Sequence, residues 1–253
     1  ILGIALTGCG EKKDNHLKVG AIAGAETQVA EEAAKIAKEK FGLEVEIVQF
    51  SDFATPNVAL NDGSIDVNAF QHKPYLDSQI KDRGFKLVAV GNTFVYPIAG
   101  YSKKIKNISE LKEGTQVAVP NDPTNLGRSL LLLQQQGLLK LKEGSGLSAT
   151  VLDIVENPKN LKIVELEAAQ LPRALEDVEL AIINTVYASQ VDLQPTRDGL
   201  FVEDKESPYV NLIVARENNQ NDENVKNFVK AYQDEAVFKK ASELFNGGVV
   251  KGW

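Results

Sequence analysis

An arginine near the start of a predicted helix is the first candidate for a ligand contact. In QVAVPNDPTNLGRSLLLL (residues 116–133), an alternating strand ends at Pro120 and a polar loop leads into an apolar helical segment. Thr124 or Asn125 is placed to cap this helix, and Arg128 falls in its predicted first turn. The helix dipole disfavours a cation there, but free N–H groups beside a guanidinium suit an incoming carboxylate. The alternative interpretation is a solvated surface arginine.

A second candidate cluster is NAFQHKPY (residues 68–75), which combines aromatic rings with an imidazole just after a predicted strand. We interpret Phe70, His72 and Tyr75 as the wall of a pocket for an apolar side chain. The alternative is core packing, although an imidazole and a phenol hydroxyl suit a cleft better than a dry core. The only other histidine is His16, so no His or Cys partner completes a zinc set and no metal site is predicted.

Composition and missing motifs favour a binding protein over an enzyme. The chain has 253 residues, 43% hydrophobic and 25% charged, which suits one large or two smaller globular domains. A net charge of -7 argues against a nucleic-acid partner. The sequence lacks a Gly-x-Ser-x-Gly elbow, a phosphate-binding glycine-rich loop and a His-Glu-x-x-His motif. We therefore predict no catalytic residues and no cofactor.

The single cysteine indicates a lipid anchor. Cys9 follows the short apolar segment ILGIALTG, which resembles the end of a secretory signal, and LTGC (residues 6–9) resembles the bacterial lipobox. The polar residues 10–16 would form a tether. A chance free cysteine is the alternative. One cysteine also excludes a disulfide framework.

The order of predicted elements positions these candidates. Strands alternate with helices in both halves, which predicts parallel sheets covered on both faces. Each half places an Ala-Leu-x-Asp segment before a buried strand, which indicates a weak internal symmetry. Two open α/β lobes would then hold a ligand at the carboxyl ends of their strands and close by a hinge motion. The predicted division is residues 1–16 as signal remnant and tether, 17–93 plus 203–253 as one lobe, and 94–202 as the other.

Six longer motifs make the chain resemble the methionine-binding lipoproteins of the NlpA lipoprotein family, the substrate-binding components of methionine ABC importers. They are NAFQHKPYLD, VAVPNDPTNLGRSLLLL, LEAAQLPR, INTVYASQ, ESPYVNLIVAR and FNGGVVKGW. The resemblance covers nearly all of the chain. It implies a two-lobed periplasmic-binding-protein-like α/β fold of type II, with a ligand cleft between the lobes. It also implies lipidation at Cys9, anchoring in the cell envelope towards the periplasm or cell exterior, and docking onto a permease with its ATPase.

The resemblance also implies roles for individual residues. Arg128 would pair with the carboxylate of L-methionine or, as a further candidate, D-methionine. Asn184 and Asn211 would hold the carboxylate and amino groups, with Asn125 nearby. The remaining members would enclose the thioether: Phe70, His72, Tyr75 and Tyr96. The alternatives are a binder of another small amino acid or short peptide, a surface adhesin-type lipoprotein, and an α/β enzyme.

Overall fold

Two mixed β-sheets organise the part of the chain that this computed structural model describes, residues 15–204 and 207–253. The strands are β1 His16–Ile22, β2 Glu44–Phe50, β3 Val67–His72, β4 Leu87–Val95, β5 Ala99–Tyr101, β6 Gln116–Pro120, β7 Lys140–Leu141, β8 Ile154–Glu156, β9 Lys162–Leu166, β10 Leu180–Ile183, β11 Phe201–Val202, β12 Val210–Arg216 and β13 Val250–Lys251. The α-helices are α1 Ala25–Phe41, α2 Thr55–Asp62, α3 Lys73–Arg83, α4 Pro123–Gln135, α5 Leu171–Ala174, α6 Thr185–Ser189, α7 Pro195–Asp198, α8 Glu223–Tyr232 and α9 Glu235–Leu244. Short 3-10 helices lie at Ile108–Glu110, Gly146–Ser148, Val151–Asp153 and Ala168–Gln170.

The first sheet has the strand order β13-β4-β12-β3-β1-β2, and the second has the order β11-β5-β10-β6-β9. Strands β1, β2 and β3 are parallel, as are β6, β9 and β10. Strand β12 runs antiparallel between β3 and β4, and β5 runs antiparallel to β10. The prediction of parallel sheets therefore holds for these six strands and is wrong for β12 and β5. The chain returns from the second sheet at the carboxyl edge of the parallel strands, where Asn211 pairs with His72. Strand β12 therefore runs in the opposite direction to β3, which an alternating sequence pattern does not reveal.

The chain passes between the two sheets twice. Residues 96–98 lead from β4 to β5, and the segment after β11 leads back to β12. Each sheet has its own apolar core: one lies under α1, α8 and α9, and the other lies beside α4. This two-lobed α/β arrangement confirms the predicted fold class. The proposed boundaries of the lobes as moving units stay a prediction.

A third apolar cluster joins the two lobes. It brings Ile22, Phe70 and Tyr75 of the first lobe together with residues of the second that include Ile183 and Tyr187. Buried apolar contact of this kind stabilises the closed arrangement of the lobes.

Local sequence explains how the principal helices begin and end. Helix α1 ends at Gly42, whose backbone is left-handed with a φ of 63°, as the sequence predicted for a C-terminal cap. The amphipathic segment near the C-terminus forms two helices, and the side chain of Asp234 caps the second by accepting a hydrogen bond from Ala236 N–H. Within the described chain, none of the helices combines the length and the apolar character that crossing a bilayer requires.

Candidate functional site

One cavity lies where the carboxyl ends of the parallel strands of the two sheets face each other. The space between its walls, including open solvent at the mouth, is about 420 Å³. The lining residues are Glu26, Phe53, Phe70, Gln71, His72, Tyr75, Tyr96, Asn125, Arg128, Asn184, Thr185, Val186 and Asn211. The structure thus brings together every residue that the sequence nominated for ligand binding. That these residues bind a ligand stays a prediction.

Helix α4 places Arg128 in the cavity wall, but the N-terminal cap of the helix and the turn that holds Arg128 differ from the prediction. The cap is Asp122, whose carboxylate accepts a hydrogen bond of 2.9 Å from Asn125 N–H. The prediction that Thr124 or Asn125 caps the helix is therefore wrong. Because α4 begins at Pro123, Arg128 lies in its second turn and not in its first. Its guanidinium therefore lies beyond the free N–H groups of the first turn, so the helix-terminus argument for an anion site does not hold.

The guanidinium of Arg128 is buried and partly neutralised by a neighbouring carboxylate. Its Nε donates to Oε1 of Glu203 at 2.8 Å, and its Nη2 donates to Oε2 of Glu203 at 2.5 Å and to the carbonyl of Tyr96 at 3.1 Å. The ring of Tyr209 lies 4.2 Å from the guanidinium carbon. Only 3% of Arg128 is exposed. Within the described chain its Nη1 forms no hydrogen bond, so this atom remains for a ligand. The interpretation of Arg128 as a solvated surface residue is wrong.

A hydrogen-bond chain across the cavity connects the lobes. The Nδ1 of His72 accepts from Tyr75 N–H at 3.2 Å, which caps α3 and places the ring proton of the neutral imidazole on Nε2. That Nε2 donates to Oδ1 of Asn125 at 3.1 Å, and the same oxygen accepts from Nδ2 of Asn184 at 3.1 Å. Burial, reinforced by the positive charge of Arg128, lowers the pKa of His72 to about 3. The imidazole is therefore neutral at physiological pH.

Two oxygen acceptors on the cavity wall suit a ligand that donates hydrogen bonds. Oδ1 of Asn184 is buried and has no hydrogen-bond partner among the residues that the structure describes. The carboxyl group of Glu26 accepts from Ile22 N–H at 3.2 Å and, at 3.5 Å, from Nδ2 of Asn211. The same Nδ2 donates to the carbonyl of Phe70 at 3.2 Å. A buried polar atom without a partner costs free energy, so Oδ1 of Asn184 favours a ligand with N–H groups.

Aromatic rings form the apolar side of the cavity. The ring of Phe53 lies 5.9 Å from that of Phe70 and 6.2 Å from that of Tyr75. The hydroxyl of Tyr75 donates to the Phe53 carbonyl at 2.8 Å, so its polar end is satisfied within the protein. Tyr96 packs against Phe245 with ring centroids 5.1 Å apart. This part of the wall offers ring faces and edges to an unbranched apolar side chain.

A network of buried amides supports the end of β3. Asn57 donates from Nδ2 to Oε1 of Gln71 at 2.9 Å and accepts at Oδ1 from Gln71 at 2.7 Å and from Asn68 at 2.9 Å. Gln71 also donates to Oδ1 of Asn68 at 2.9 Å. The three residues are almost completely buried, so these hydrogen bonds fix the strand that presents Phe70 and His72.

Sequence reasoning missed five residues that line the cavity: Glu26, Phe53, Gln71, Thr185 and Val186. The position just after a strand, which nominated other residues of the site, is shared by most of these five. Glu26 follows β1 and Phe53 follows β2, at the same carboxyl edge of the sheet as His72. The lipidation candidate Cys9 lies outside the described residues.

Comparison with known proteins places the chain in a family. The NlpA lipoprotein family matches residues 17–253. The D-methionine-binding lipoprotein MetQ of Escherichia coli K12 is 70% identical over 99% of this chain and 94% of its own length. The crystal structure of the methionine-binding protein MetQ has a TM-score of 0.94 and 71% identity, over 94% of this chain and 98% of that one. A nutrient-binding protein from Burkholderia cenocepacia, solved with bound methionine, has a TM-score of 0.92 and 51% identity, over 94% of this chain and all of that one. The chain belongs to the NlpA lipoprotein family.

Proposed function

We propose that this chain is a substrate-binding lipoprotein that captures methionine in the cavity between its lobes and delivers it to an ABC importer. The observation that carries the proposal is the composition of the cavity wall, which combines a buried guanidinium, the two oxygen acceptors of Asn184 and Glu26, and an aromatic surface. These three features match the carboxylate, the amino group and the thioether of an amino acid such as methionine. A relative named as a D-methionine-binding lipoprotein and a nutrient-binding protein solved with bound methionine support the choice of ligand.

Each part of the cavity takes one part of the ligand in this proposal. Arg128 holds the carboxylate through its Nη1, since Glu203 and the Tyr96 carbonyl occupy its other donors. Asn184 and Asn211 contact the polar end of the ligand, with Asn125 holding Asn184 in place. The aromatic residues surround the side chain, where sulfur–ring contacts are favourable. They are Phe70, His72, Tyr75 and Tyr96.

The expected free energies are compatible with binding at micromolar concentration or better. A charge-assisted hydrogen bond contributes about 1.5–3 kcal/mol. Burial of a methionine-sized side chain adds roughly 1.5–3 kcal/mol. Several further polar contacts are then required to reach the ~8 kcal/mol of a micromolar complex. A cavity that both lobes line supplies these contacts from several directions, whereas one lobe alone would leave much of the ligand in water.

The proposal includes anchoring in the cell envelope through a lipidated Cys9, with the lobes facing the periplasm or the cell exterior. The relatives named as lipoproteins support this part. The permease and its ATPase are the proposed protein partners, and the relative named as a periplasmic substrate-binding protein of an ABC transporter supports them.

The direct test is isothermal titration calorimetry with L-methionine, D-methionine, other small amino acids and short peptides. The protein should first be unfolded and refolded to remove any ligand retained from the host. We expect saturable binding of methionine at one site per chain. Mass spectrometry of the denatured protein should also detect methionine released from material purified without refolding. Binding of a different amino acid or a peptide, with no response to methionine, would support the alternative ligand. No binding of any of these molecules would favour an adhesin-type lipoprotein.

Replacing Asn211 with alanine tests a single polar contact in this site. We expect Asn211→Ala to weaken methionine binding by about tenfold, because the wall loses a donor at the polar end of the cavity. Asn218→Ala is a matched control, since Asn218 is exposed in the turn after β12. Equal affinities for the two variants would exclude Asn211 from the site. Thermal unfolding of both variants shows whether a loss of binding reflects a loss of folding.

A further inference from the structure

Glu26 is a buried carboxyl group that has no cationic partner among the residues that the structure describes. It is the second residue of α1, only 2% of it is exposed, and it lines the cavity. Its protein contacts are the N–H of Ile22 and the amide of Asn211. Among the described residues, none of the lysines, arginines or histidines forms an ion pair with it. A buried carboxylate without a counter-ion is costly, so this position favours a cation from outside the chain.

The ionisable groups around Glu26 do not supply that cation. Burial raises the pKa of Tyr96, of Tyr187 in α6 and of Tyr232 in α8, and the nearby charge of Glu26 raises it further. All three phenols are therefore neutral at physiological pH. His72 lines the same cavity and is neutral, as shown above. Arg128 also lines the cavity, but the carboxylate of Glu203 already holds it.

Burial raises the pKa of Glu26 to about 8, and the hydrogen bonds from Ile22 and Asn211 oppose this rise only in part. The carboxyl group therefore retains its proton at neutral pH when the cavity holds no cation. A second observation points to the same kind of ligand. The buried Oδ1 of Asn184 has no partner within the described chain and lies on the wall of the same cavity.

We propose that Glu26 pairs with the ammonium group of the bound amino acid, and that binding expels the carboxyl proton of Glu26 into the solvent. This inference rests on the proposed function. The O–H bond of the carboxyl group breaks and its proton passes to the buffer, while the ligand keeps its three ammonium protons. Those protons then have Glu26 and Oδ1 of Asn184 as acceptors. Ligand capture is thereby coupled to the ionisation of one residue.

The sign of the pH dependence follows from this coupling. Below about pH 8 the free protein holds a proton that the complex lacks, so a rise in pH favours the complex. The dissociation constant should therefore fall by up to about tenfold per pH unit as the pH rises towards 8. His72 and the tyrosines that line the cavity do not titrate in this range, since the pKa of His72 lies near 3 and those of Tyr75 and Tyr96 are raised above 10.

Calorimetric titration of methionine in buffers of different ionisation enthalpy measures the released proton directly. At and below about pH 7 we expect close to one proton released for each methionine bound. Glu26→Gln should bind methionine more weakly, without proton release and without the pH dependence. Glu31→Gln is the matched control, because Glu31 lies on the exposed face of the same helix and should behave as the unmodified chain does. An analogue without the amino group, 4-(methylthio)butanoate, should bind without proton release.

The outcomes separate this inference from the function on which it rests. If the unmodified chain binds no methionine at any pH, the proposed function fails. If it binds methionine with an enthalpy that does not depend on the buffer, the proposed function stands and the role of Glu26 is wrong. The buffer series on the unmodified chain decides this even if Glu26→Gln does not fold, which circular dichroism would reveal.

Discussion

Arg128→Ala is expected to weaken methionine binding by at least about 100-fold and to destabilise the fold as well. Binding weakens because the ligand carboxylate loses its guanidinium partner. Within the described chain, Arg128 is the only arginine that lines the cavity. Truncating one member of a buried charge pair costs roughly 2–5 kcal/mol in comparable sites. The second effect arises because Glu203, whose side chain is 10% exposed, loses its cation. The free energy of unfolding should fall by about 3–5 kcal/mol.

Two further variants separate these effects. Glu203→Gln keeps the guanidinium in the cavity but removes the carboxylate that fixes its plane, so we expect moderately weaker binding with Arg128 still essential. The double variant Arg128→Met with Glu203→Leu replaces the ion pair with apolar side chains. It should recover much of the stability but none of the binding. Calorimetry and chemical denaturation measure the two quantities independently.

Arg197→Ala is the control for the loss of an arginine. Arg197 is about half exposed and pairs with Asp192 and Asp198 on the surface. Surface ion pairs contribute roughly 0–1 kcal/mol, so this variant should match the unmodified chain in affinity. If Arg128→Ala and Arg197→Ala bind methionine equally well, Arg128 does not hold the ligand.

Asn57→Ala should be strongly destabilising although Asn57 does not line the cavity. The substitution leaves the side-chain amides of Gln71 and Asn68 buried without their shared partner. Each unsatisfied buried group costs about 1–3 kcal/mol, so we expect a loss of roughly 2–4 kcal/mol in the free energy of unfolding. Urea denaturation measures this loss as a lower midpoint with an unchanged slope.

Asn61→Ala on the same helix provides the comparison. Asn61 is exposed, and its side chain accepts one hydrogen bond, from Lys86 N–H. We expect a loss of less than about 1 kcal/mol for this variant. A similar midpoint for the two variants would mean that the buried amide network contributes little to stability.

Much of the site was predictable because ligands of α/β sheets bind at the carboxyl ends of the strands, and most of the site residues lie there. Asn125, Arg128 and Asn184 come soon after strands that the apolar patterns of the sequence predict. The resemblance to the NlpA family added Tyr96 and Asn211, of which Asn211 lies within the motif ESPYVNLIVAR. The match to the NlpA lipoprotein family confirms that resemblance.

The remaining features depend on contacts between distant parts of the chain. Glu203 lies 75 residues after Arg128, and no local pattern connects them. Glu26 follows a strand as the nominated residues do, but stabilisation of the start of a helix equally explains an acidic residue at this position, so the sequence alone did not single it out. The cap of α4 was misassigned because Asp, Thr and Asn are all good caps, and only the backbone geometry distinguishes them.

The hydrogen bond between His72 and Asn125 allows the opening of the cleft to be followed by NMR spectroscopy of a natural side chain. The sequence contains two histidines, and His16 is exposed on β1. In a sample labelled uniformly with nitrogen-15, only His16 could give an imidazole N–H signal besides that of His72. The imidazole proton of the exposed His16 exchanges rapidly with water, so the Nε2–H signal of His72 can be assigned. While the cleft is shut, that proton is buried and bonded to the opposite lobe. Its appearance and broadening in NMR spectra follow the opening and closing of the cleft without any introduced dye or spin label.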